Sequence, residues 1–501
     1  MSQLHMERIP MNLFQAEVPE DILEISRKLR QAGFECWLVG GAVRDLLIHG
    51  GLDRIRLAGN DYDFATNARP EETIRVFRHS GKTKTFTVPT GLKHGTVTVV
   101  IERDGEMYNY EITTFRQDGK YEDGRHPDNV SFTSSLAEDL SRRDFTINSI
   151  AYDVVEGILV DPFDGLGDIS RKVIRTVGDP LERFREDGLR PVRACRFAAQ
   201  LGFVIARETL DAIPAVLETV KKVSAERIRD EFFKLMKAES PSVGIEYMRR
   251  SGILSIYLPE LLEGFEVPQN EFHRFDIYWH NLYSCDSAVR DRPLVRFAGL
   301  FHDIGKARAK SYALSNGNGN VFYNHEIIGE RIADRIMKRL KFSNNDQKYI
   351  SRLVRMHMFY YTEDWTDGAV RRFVRKADGD NTFLSDLFEL RKADRLGSGT
   401  KSGDAEILEK FRNRIQQIVE ADNALKVTDL DVDGNIIMEY FHIKPSRTIG
   451  EMLEYMLDQV LDHPEWNERE KLLEMGTFFL ENYEEIIALK RKQEMEMEDL
   501  A

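Results

Sequence analysis

The stretches LVGGAVRDLL (residues 38–47) and NDYDFAT (residues 60–66) decide the fold of the first part of the chain. The apolar run before Gly40 predicts a β-strand, the glycine pair predicts a tight turn, and the residues after it have helical character. A strand that turns at glycines into a helix presents backbone N–H groups at a positive helix end, which favours a bound phosphate. We therefore predict a polyphosphate site at Gly40 and Gly41, with Arg44 either contacting the phosphate or pairing with the aspartate that follows it.

Two aspartates in the second stretch predict a metal site. Asp61 and Asp63 alternate along a strand, so both side chains point to one face of the sheet. Carboxylates that face together repel each other unless a cation lies between them, and Mg²⁺ binds carboxylates together with substrate phosphates. Glu111, in YEITTF, is a candidate third carboxylate. A glycine pair alone is an ordinary turn and an alternating aspartate pair alone is often a solvated strand edge, but their combination favours nucleotidyl transfer by two metals.

The composition is that of a folded, non-membrane protein. The chain has 501 residues, 42% hydrophobic and 31% charged, which predicts roughly three or four domains. No apolar run approaches the roughly 20 residues that span a bilayer, and the N-terminal residues do not resemble a signal peptide. The three cysteines fit no disulfide framework, which favours the cytoplasm. The net charge of −14 argues against unspecific coating of nucleic acid, although residues 171–196 hold eight Lys/Arg against four Asp/Glu.

The order of the elements predicts an α+β multidomain protein, with an α/β head built on a small mixed sheet and an all-α body. Strand-like segments lie at 36–43, 96–101 and 108–115, whereas helical periodicity dominates after about residue 156. A polar Gly/Asn loop is expected at 311–324. We divide the chain into a head (1–155), a helical neck (156–265), a domain carrying histidines (266–400) and a helical tail (401–501).

A further cluster, EDLSRRDFTINSIAYD (138–153), contains Arg143, Asp144 and Asn148. Arginines at this position are candidates for phosphate or sugar contacts. The alternative is an amphipathic connector with surface ion pairs, which contribute little stability.

The order of these motifs closely resembles that of class II tRNA nucleotidyltransferases, the CCA-adding enzymes. The resemblance covers about residues 30–240 and includes, besides the motifs above, TGLKHGTVTV, DPFDGLGDI, EDGLRPVRACRFAAQLGF and VSAERIRDEFFKLM. It implies that the head binds a triphosphate and two Mg²⁺ ions on Asp61 and Asp63, and that the partners are tRNA, CTP and ATP. It also implies a flexible loop at about 117–125, whose presence disfavours an enzyme that adds only CC.

The resemblance assigns base reading to Glu186, Asp187 and Arg190 of EDGLRPVRACRF. Cytosine and adenine both present an amino donor next to a ring-nitrogen acceptor, so a carboxylate and a guanidinium together match either base. Guanine and uracil reverse that order and leave both side chains unpaired, which discriminates strongly. Asp187 and Arg190, three apart, are expected to share a helix face; for an isolated motif a simple ion pair would be the better interpretation.

Two further features of EDGLRPVRACRF lead to predictions. Arg193 and Arg196 are expected to meet phosphates of the nucleotide or of the RNA end. Pro191 lies where the family usually has an ordinary helix former, and a proline beyond the first turn kinks a helix.

The second half contains an ordered set of histidines and aspartates: His280, His302, Asp303, His325, His357 and Asp394. Imidazole with carboxylate suits a divalent metal. The set resembles the HD phosphohydrolase domain. That resemblance implies that His280, His302, Asp303 and Asp394 hold one metal. It places His325 and His357 near a second metal or a phosphate, with Lys306 as a candidate phosphate contact. Such domains are either active, for example on 2′,3′-cyclic or 2′-phosphate RNA ends, or structural.

The sequence therefore predicts a CCA-adding tRNA nucleotidyltransferase in which Asp187 and Arg190 select the base. The alternatives within the class are an A-adding enzyme and a bacterial poly(A) polymerase. An alternative from another class is a metal-dependent HD phosphohydrolase whose head only binds RNA. No membrane contact and no obligate protein partner are expected.

Overall fold

The computed structural model describes residues 8–10, 19–49, 62–78, 85–92, 95–103, 105–118, 130–269, 273–315, 322–377, 380–399, 405–421 and 427–488. The chain divides into two compact units, Met1–Tyr257 and Leu258–Ala501. Across the ranges described, every helix is too short or too polar to cross a lipid bilayer.

The first unit is built on a mixed sheet. Its strands are β1 (Arg8–Pro10), β2 (Cys36–Val39), β3 (Asp63–Thr66), β4 (Thr85–Gly91), β5 (Thr96–Arg103), β6 (Glu106–Thr114), β7 (Arg116–Asp118), β8 (Val130–Phe132), β9 (Ala151–Asp153), β10 (Ile158–Val160), β11 (Val173–Ile174) and β12 (Val204–Ile205). Eight of them form one sheet in the order β1-β10-β9-β2-β3-β6-β5-β4. Within this sheet β3 and β6 pair in parallel, whereas β2 pairs antiparallel with both β3 and β9.

Helices cover this sheet and then form the rest of the first unit. They are α1 (Glu20–Gln31), α2 (Gly41–His49), α3 (Pro70–Phe77), α4 (Leu136–Ser141), α5 (Gly165–Arg171), α6 (Pro180–Glu186), α7 (Leu189–Leu201), α8 (Arg207–Ala212), α9 (Leu217–Val220), α10 (Ala225–Leu235), α11 (Pro241–Arg250) and α12 (Leu254–Tyr257). In α1 the apolar residues Ile22, Ile25 and Leu29 recur at helical spacing and are fully buried. They join residues of β2, β3 and β6 in one core, which fixes α1 and α2 against the sheet.

The second unit is helical throughout its described residues. Its helices are α13 (Pro259–Leu262), α14 (Ile277–Ser287), α15 (Pro293–Phe301), α16 (Lys306–Ser315), α17 (His325–Arg339), α18 (Asn344–Met356), α19 (Asp367–Lys376), α20 (Asn381–Gly397), α21 (Ala405–Ala421), α22 (Gly434–Phe441), α23 (Arg447–Asp462) and α24 (Arg469–Glu481). Phe411 of α21 stacks on Tyr361 and contacts Phe359, Phe373 and Phe388, so aromatic packing joins α21 to α19 and α20. The last three helices share a separate apolar core.

The α+β fold class predicted from the sequence is confirmed. The strands predicted at 36–43, 96–101 and 108–115 are β2, β5 and β6. Two details differ from the predictions. The strands β10, β11 and β12 lie in the segment expected to be helical; β10 belongs to the main sheet, whereas β11 and β12 pair only with each other. Strands of two or three residues leave no periodic signal. The loop expected from residue 311 is wrong at its start, because α16 continues to Ser315. The four-domain division stays a prediction.

Candidate functional site

The predicted strand–turn–helix at the glycine pair is present. β2 ends at Val39, Gly40 has a φ of +74°, and α2 begins at Gly41. A Cβ on Gly40 would lie 3.2 Å from a guanidinium nitrogen of Arg143 and 3.5 Å from Oδ2 of Asp63. The positive φ thus favours glycine at this position, and the turn brings together three residues predicted to bind the nucleotide or metal.

The carboxylates on the neighbouring strands face the same way. Asp63 is the first residue of β3 and pairs in parallel register with Glu111 of β6, so both side chains lie on one face of the sheet. Asp63 is half-buried and Glu111 is exposed. Asp61 and residues 119–129, which include most of the predicted flexible loop, lie outside the described residues.

A chain of hydrogen bonds runs from α2 to α7. The Arg44 guanidinium donates to Asp45 and to Oδ1 of Asn148, each at 2.8 Å. The Asn148 amide donates to Asp144 at 3.0 Å, and Arg193 of α7 donates to the other Asp144 oxygen at 2.7 and 2.8 Å. Four predicted site residues are therefore one buried network. Of the two roles considered for Arg44, pairing with Asp45 is observed.

The network sets the charge of Asp144. Burial alone would raise the pKa of this carboxyl, but the charge of Arg193 and the hydrogen bond from Asn148 hold the pKa well below its ordinary value. Asp144 is therefore a stable buried anion that fixes Arg193 at the surface of α7.

The expectation that Asp187 and Arg190 share a helix face is wrong. Asp187 lies between α6 and α7 in extended backbone, and α7 begins only at Leu189. Its carboxylate accepts a hydrogen bond from the Leu189 N–H at 3.0 Å and a two-pronged contact from Arg227 at 2.7 and 3.1 Å. The Asp187 side chain therefore projects from the connection between α6 and α7, whereas the Arg190 side chain projects from α7. The break is fixed by Gly188, since a Cβ there would lie 2.4 Å from the Thr219 carbonyl oxygen.

The Arg190 guanidinium is anchored by its own surroundings. It pairs with Glu186 and donates to the backbone carbonyl oxygens of Arg183 and Arg142, at 2.8 and 3.0 Å. Pro191 is the third residue of α7, where a missing N–H leaves no intrahelical bond unmade. The proline therefore does not disturb the aim of Arg190.

Arg196 does not have the surroundings of a phosphate contact. Its guanidinium is buried, donates to Oε2 of Glu231 at 2.5 Å, and lies 3.8 Å from the centre of the Phe197 ring. Burial lowers its pKa to about 10. The predicted role is corrected to a structural ion pair between α7 and α10.

Sequence reasoning missed the partners on α10. The stretch VSAERIRDEFFKLM was used only as a motif of the resemblance, yet its residues Arg227 and Glu231, four apart, hold Asp187 and Arg196. The available signal was this pair of opposite charges at helical spacing.

In the second unit the structure brings all six predicted histidines and aspartates together. His280 lies on α14, His302 and Asp303 directly follow α15, and His325 opens α17. His357 directly follows α18, and Asp394 lies on α20. They form two groups that share Asp303: His280, His302, Asp303 and Asp394, and Asp303, His325 and His357. We call these six residues the His–Asp centre.

Glycines allow the supporting helices to approach. A Cβ on Gly305 would lie 2.2 Å from the His325 carbonyl oxygen, and one on Gly397 would lie 2.3 Å from Oγ of Ser284. The first contact presses α17 onto the turn that carries Asp303. The second presses α20 onto α14, which brings Asp394 to His280.

Each oxygen of Asp303 faces one group. Oδ2 lies 3.1 and 3.3 Å from Nε2 of His280 and His302, and Oδ1 lies 3.2 and 3.5 Å from Nε2 of His325 and His357. Asp394 completes the first group, with Oδ1 3.2 Å from His280 Nε2. Ligands at metal bond lengths of about 2.1 Å are separated by about 3.0 to 3.4 Å, so these spacings fit a bound ion.

The ring orientations point to the same conclusion. Nδ1 of His302, His325 and His357 each lies 2.7 or 2.8 Å from a backbone carbonyl oxygen, which can only accept, so Nδ1 carries a proton. In the neutral rings of His325 and His357, Nε2 is then a lone pair. Nε2 of His325 and His357 are 3.3 Å apart. Facing lone pairs at that distance repel, and a cation between them removes the repulsion.

Two basic side chains pair with the aspartates of the His–Asp centre. Lys306 lies 2.5 Å from Oδ2 of Asp303, and Arg391 donates to Oδ2 of Asp394 at 2.8 Å. Burial would raise the pKa of Asp303, but the charges of His302 and Lys306 hold it well below its ordinary value. Lys306, predicted to meet a phosphate, is placed beside the centre but pairs with Asp303.

Three family models match the chain in order. The poly(A) polymerase head domain matches residues 36–175 and the probable RNA- and SrmB-binding site of polymerase A matches residues 202–264. The putative domain 2 of tRNA nucleotidyltransferase matches residues 322–475, which include His325, His357 and Asp394.

Relatives and solved structures agree with these matches. The CCA-adding enzyme of Lactobacillus johnsonii is 47% identical over 219 residues, 44% of this chain and 50% of that protein. The CCA-adding enzyme of Anoxybacillus flavithermus is 39% identical over 294 residues, 59% of this chain and 66% of that protein. The chain thus spans half to two thirds of the length of these relatives.

Among solved structures, the Bacillus stearothermophilus CCA-adding enzyme in complex with CTP aligns with a TM-score of 0.64 and 27% identity. The alignment covers 93% of this chain and 100% of that one. Over these segments the chain is thus similar to the poly(A) polymerase head domain, to a tRNA nucleotidyltransferase domain and to CCA-adding enzymes.

Proposed function

We propose that the chain adds CCA to the 3′ end of tRNA, taking CMP and AMP from CTP and ATP. The observation that carries the proposal is the convergence of the Gly40 turn, Asp63 and Arg143 at the start of α2. A helix N-terminus and a guanidinium suit a triphosphate, and a carboxylate beside them suits a phosphate-bound cation. The CCA-adding relatives and the CTP-bound neighbour support the assignment.

In this reaction the terminal 3′-hydroxyl oxygen of tRNA forms a bond to the α-phosphorus as the bond to pyrophosphate breaks. Asp63, with the predicted Asp61 and Glu111, presents the hard oxygen ligands that Mg²⁺ prefers. Bound Mg²⁺ supplies acidification of the hydroxyl and neutralisation of the triphosphate. Gly40 and Gly41 orient the phosphates, and Arg143 adds positive charge. The location we propose is the cytoplasm.

We assign base selection to Asp187, which pairs with Arg227, and to Arg190, which pairs with Glu186. We expect Asp187→Ala to relax selection of C and A with little change in tRNA binding, because the remaining RNA contacts are not made by this side chain. Glu218→Ala, which removes an exposed carboxylate of α9, is the matched control. Equal loss of tRNA binding in Asp187→Ala would assign this residue to the fold alone.

The test offers tRNA transcripts that end at the discriminator base, at C and at CC, with CTP, ATP or both. We expect all three to be completed to CCA, and Asp63→Ala to abolish addition while Glu106→Ala, an exposed carboxylate on β6, does not. Extension of the CC-ended transcript alone would replace CCA addition by A addition. Long heterogeneous tails would indicate a poly(A) polymerase.

A second candidate function belongs to the His–Asp centre. The convergence of lone pairs on two histidines and of both Asp303 oxygens supports a divalent metal pair in an HD-type domain, with phosphohydrolysis as its activity. Bound metal there supplies a more acidic water and charge neutralisation of a phosphate. His280, His302 and Asp394 would hold one ion, His325 and His357 the other, and Asp303 both.

The test follows hydrolysis of a 2′,3′-cyclic phosphate, and release of phosphate from a 2′-phosphate, by metal-loaded protein. We expect Asp303→Ala to abolish both reactions, whereas Asp334→Ala, a carboxylate on the exposed side of α17, leaves them intact. Metal binding without hydrolysis of either compound would assign the centre a structural role. Failure of this reaction leaves CCA addition unaffected, because each test has its own substrate.

A further inference from the structure

One aromatic ring of α7 lies where three arginines of the first unit meet. Phe197 is only 5% exposed, and the centre of its ring lies 5.0, 5.2 and 3.8 Å from the guanidinium carbons of Arg44, Arg193 and Arg196. These distances are within the roughly 6 Å over which the face of an aromatic ring attracts a cation. The fully buried Phe145 ring packs nearly perpendicular to it, with 5.8 Å between the ring centres. The Phe197 ring is therefore a contact point between α2, α7 and the segment that follows α4.

Each of the three guanidinium groups also pairs with its own carboxylate: Arg44 with Asp45, Arg193 with Asp144, and Arg196 with Glu231. Three like charges around one ring would repel each other, and the three anions offset that repulsion. A guanidinium is planar and weakly hydrated, so it can contact an aromatic ring while its N–H groups bond to a carboxylate. The ring and the carboxylates therefore stabilise the same arginines together.

Through these arginines, Phe197 joins the glycine turn before α2 to the helix that carries Arg190. Arg44 is in the first turn of α2, and a Cβ on Gly41 would lie 3.5 Å from its guanidinium, so this group lies against the glycine turn. Arg190, Arg193 and Phe197 are spaced i, i+3 and i+7 along α7, which places them on one face of the helix. The ring thus contacts an arginine at the proposed triphosphate site and an arginine one helical turn from the proposed base-reading residue.

We propose that Phe197 is a positioning residue for nucleotide selection, because its ring fixes the base-reading helix α7 against α2. This inference rests on the nucleotidyl transfer proposed above and concerns the same site. The base and the triphosphate of a nucleotide are joined through one ribose, so a site that selects the base must keep its glycine turn and its base-reading residues at a constant separation. A displacement of about 1 Å between bound groups can lower a rate about hundredfold. Loss of the ring therefore weakens discrimination between bases and leaves the glycine turn intact.

The experiment measures kcat/KM for CTP and for UTP, with the full chain, Mg²⁺ and a tRNA transcript that ends at the discriminator base. UTP carries the ribose and triphosphate of CTP on a base with the reverse order of donor and acceptor, so the ratio of the two values reports base selection. We expect Phe197→Leu to lower this ratio about tenfold. Phe203→Leu, a residue of equal 5% exposure just after α7, is the matched control and should keep the ratio. Equal losses with CTP and UTP in Phe197→Leu would overturn the proposal, because a general loosening of the fold does not distinguish bases.

A second variant separates the charge of the ring face from the volume of the ring. Phe197→trifluorophenylalanine keeps the aromatic ring but withdraws negative charge from its face, which weakens its attraction for cations. We expect this variant also to lower the ratio of CTP to UTP, by about tenfold. A ratio retained by the fluorinated chain would overturn the proposal, because the ring would then act by its volume alone.

Calorimetry of CTP, UTP and inorganic tripolyphosphate with the same proteins gives a readout that needs no turnover. We expect both Phe197 variants to lose the preference for CTP over UTP and to bind tripolyphosphate as the unchanged protein does. If no nucleotide is added but the preference for CTP in binding depends on Phe197, CCA addition is wrong and the positioning role stands. If CCA is added and both variants keep the preference, the positioning role is wrong and CCA addition stands. Absence of both nucleotide addition and nucleotide binding overturns both proposals.

Discussion

Asp303 gives the sharpest prediction, because its two carboxylate oxygens face different ligand groups. Oδ2 lies 3.1 Å from His280 Nε2, and Oδ1 lies 3.2 Å from His325 Nε2. If both groups hold an ion, Asp303→Ala removes a ligand from each, whereas Asp394→Ala affects only the first and His357→Ala only the second. We expect about two metal equivalents in the unchanged centre, none in Asp303→Ala, and about one in each of the other variants.

The magnitude follows from the position of the carboxylate. Loss of an outer contact to a metal ligand commonly weakens metal binding about 10- to 100-fold, and Asp303 would be a direct ligand of both ions, so at least about hundredfold weakening is expected. Equilibrium dialysis against Co²⁺ followed by metal analysis measures both stoichiometry and affinity, in an Asp63→Ala background. Asp334→Ala is the control for removal of a charge from α17. Two equivalents retained by Asp303→Ala, or both lost by His357→Ala alone, would refute the shared-ligand geometry.

Three further predictions concern the first unit. Gly40→Ala should destabilise the turn by about 1 to 2 kcal/mol and reduce nucleotidyl transfer, because Gly40 has a φ of +74° and a Cβ would crowd a guanidinium; rates and urea midpoints check this. Arg196→Met should cost about 2 kcal/mol, because Glu231 loses its buried hydrogen-bonded cation and keeps only Lys234 and the more distant Arg193. The double variant with Glu231→Met should recover most of this cost, a pattern that a double-mutant cycle resolves. Asp144→Asn should destabilise the chain at neutral pH by about 3 kcal/mol, because Arg193 loses its anion. The pKa of Asp144 is depressed, so its contribution is present above the ordinary value of 3.8 and is lost as pH falls below it. The difference in hydrogen-exchange protection of α7 between the unchanged protein and Asp144→Asn should therefore become smaller as the pH falls below 3.8. A difference that does not change with pH would contradict a stabilising role of the ionised Asp144.

The sequence predicted those parts of the site that depend on local pattern. The strand, glycine turn and helix at Gly40 follow from apolar runs and glycine alone, whereas the members of the His–Asp centre were predicted from the resemblance of the ordered histidines and aspartates to an HD domain. Contacts between distant residues left no such pattern. Asp187 meets Arg227 across 40 positions, and Arg196 meets Glu231 across 35. The helix break before Leu189 depends on Gly188 packing against a carbonyl oxygen of a later helix, which no local signal carries.

The same contacts change how the basic segment of the neck is interpreted. By count, residues 171–196 carry an excess of positive charge, which suggested a nucleic-acid surface. In the structure six of its eight cations pair with carboxylates: Arg171, Arg175, Arg183, Arg190, Arg193 and Arg196. A guanidinium that already has an anionic partner releases few counterions when a phosphate approaches, so it adds little to RNA affinity. Arg193 and Arg196 of α7 thus act mainly by fixing Asp144 and Glu231, whereas the exposed Lys172 and Arg185 are better placed to meet a phosphate backbone. A count of charge along a sequence overestimates the cations available to RNA, because it includes those that pair with carboxylates of the protein itself. Once these ion pairs are left out, the expected RNA contact in this neck moves from the face of α7 to the exposed Lys172 and Arg185.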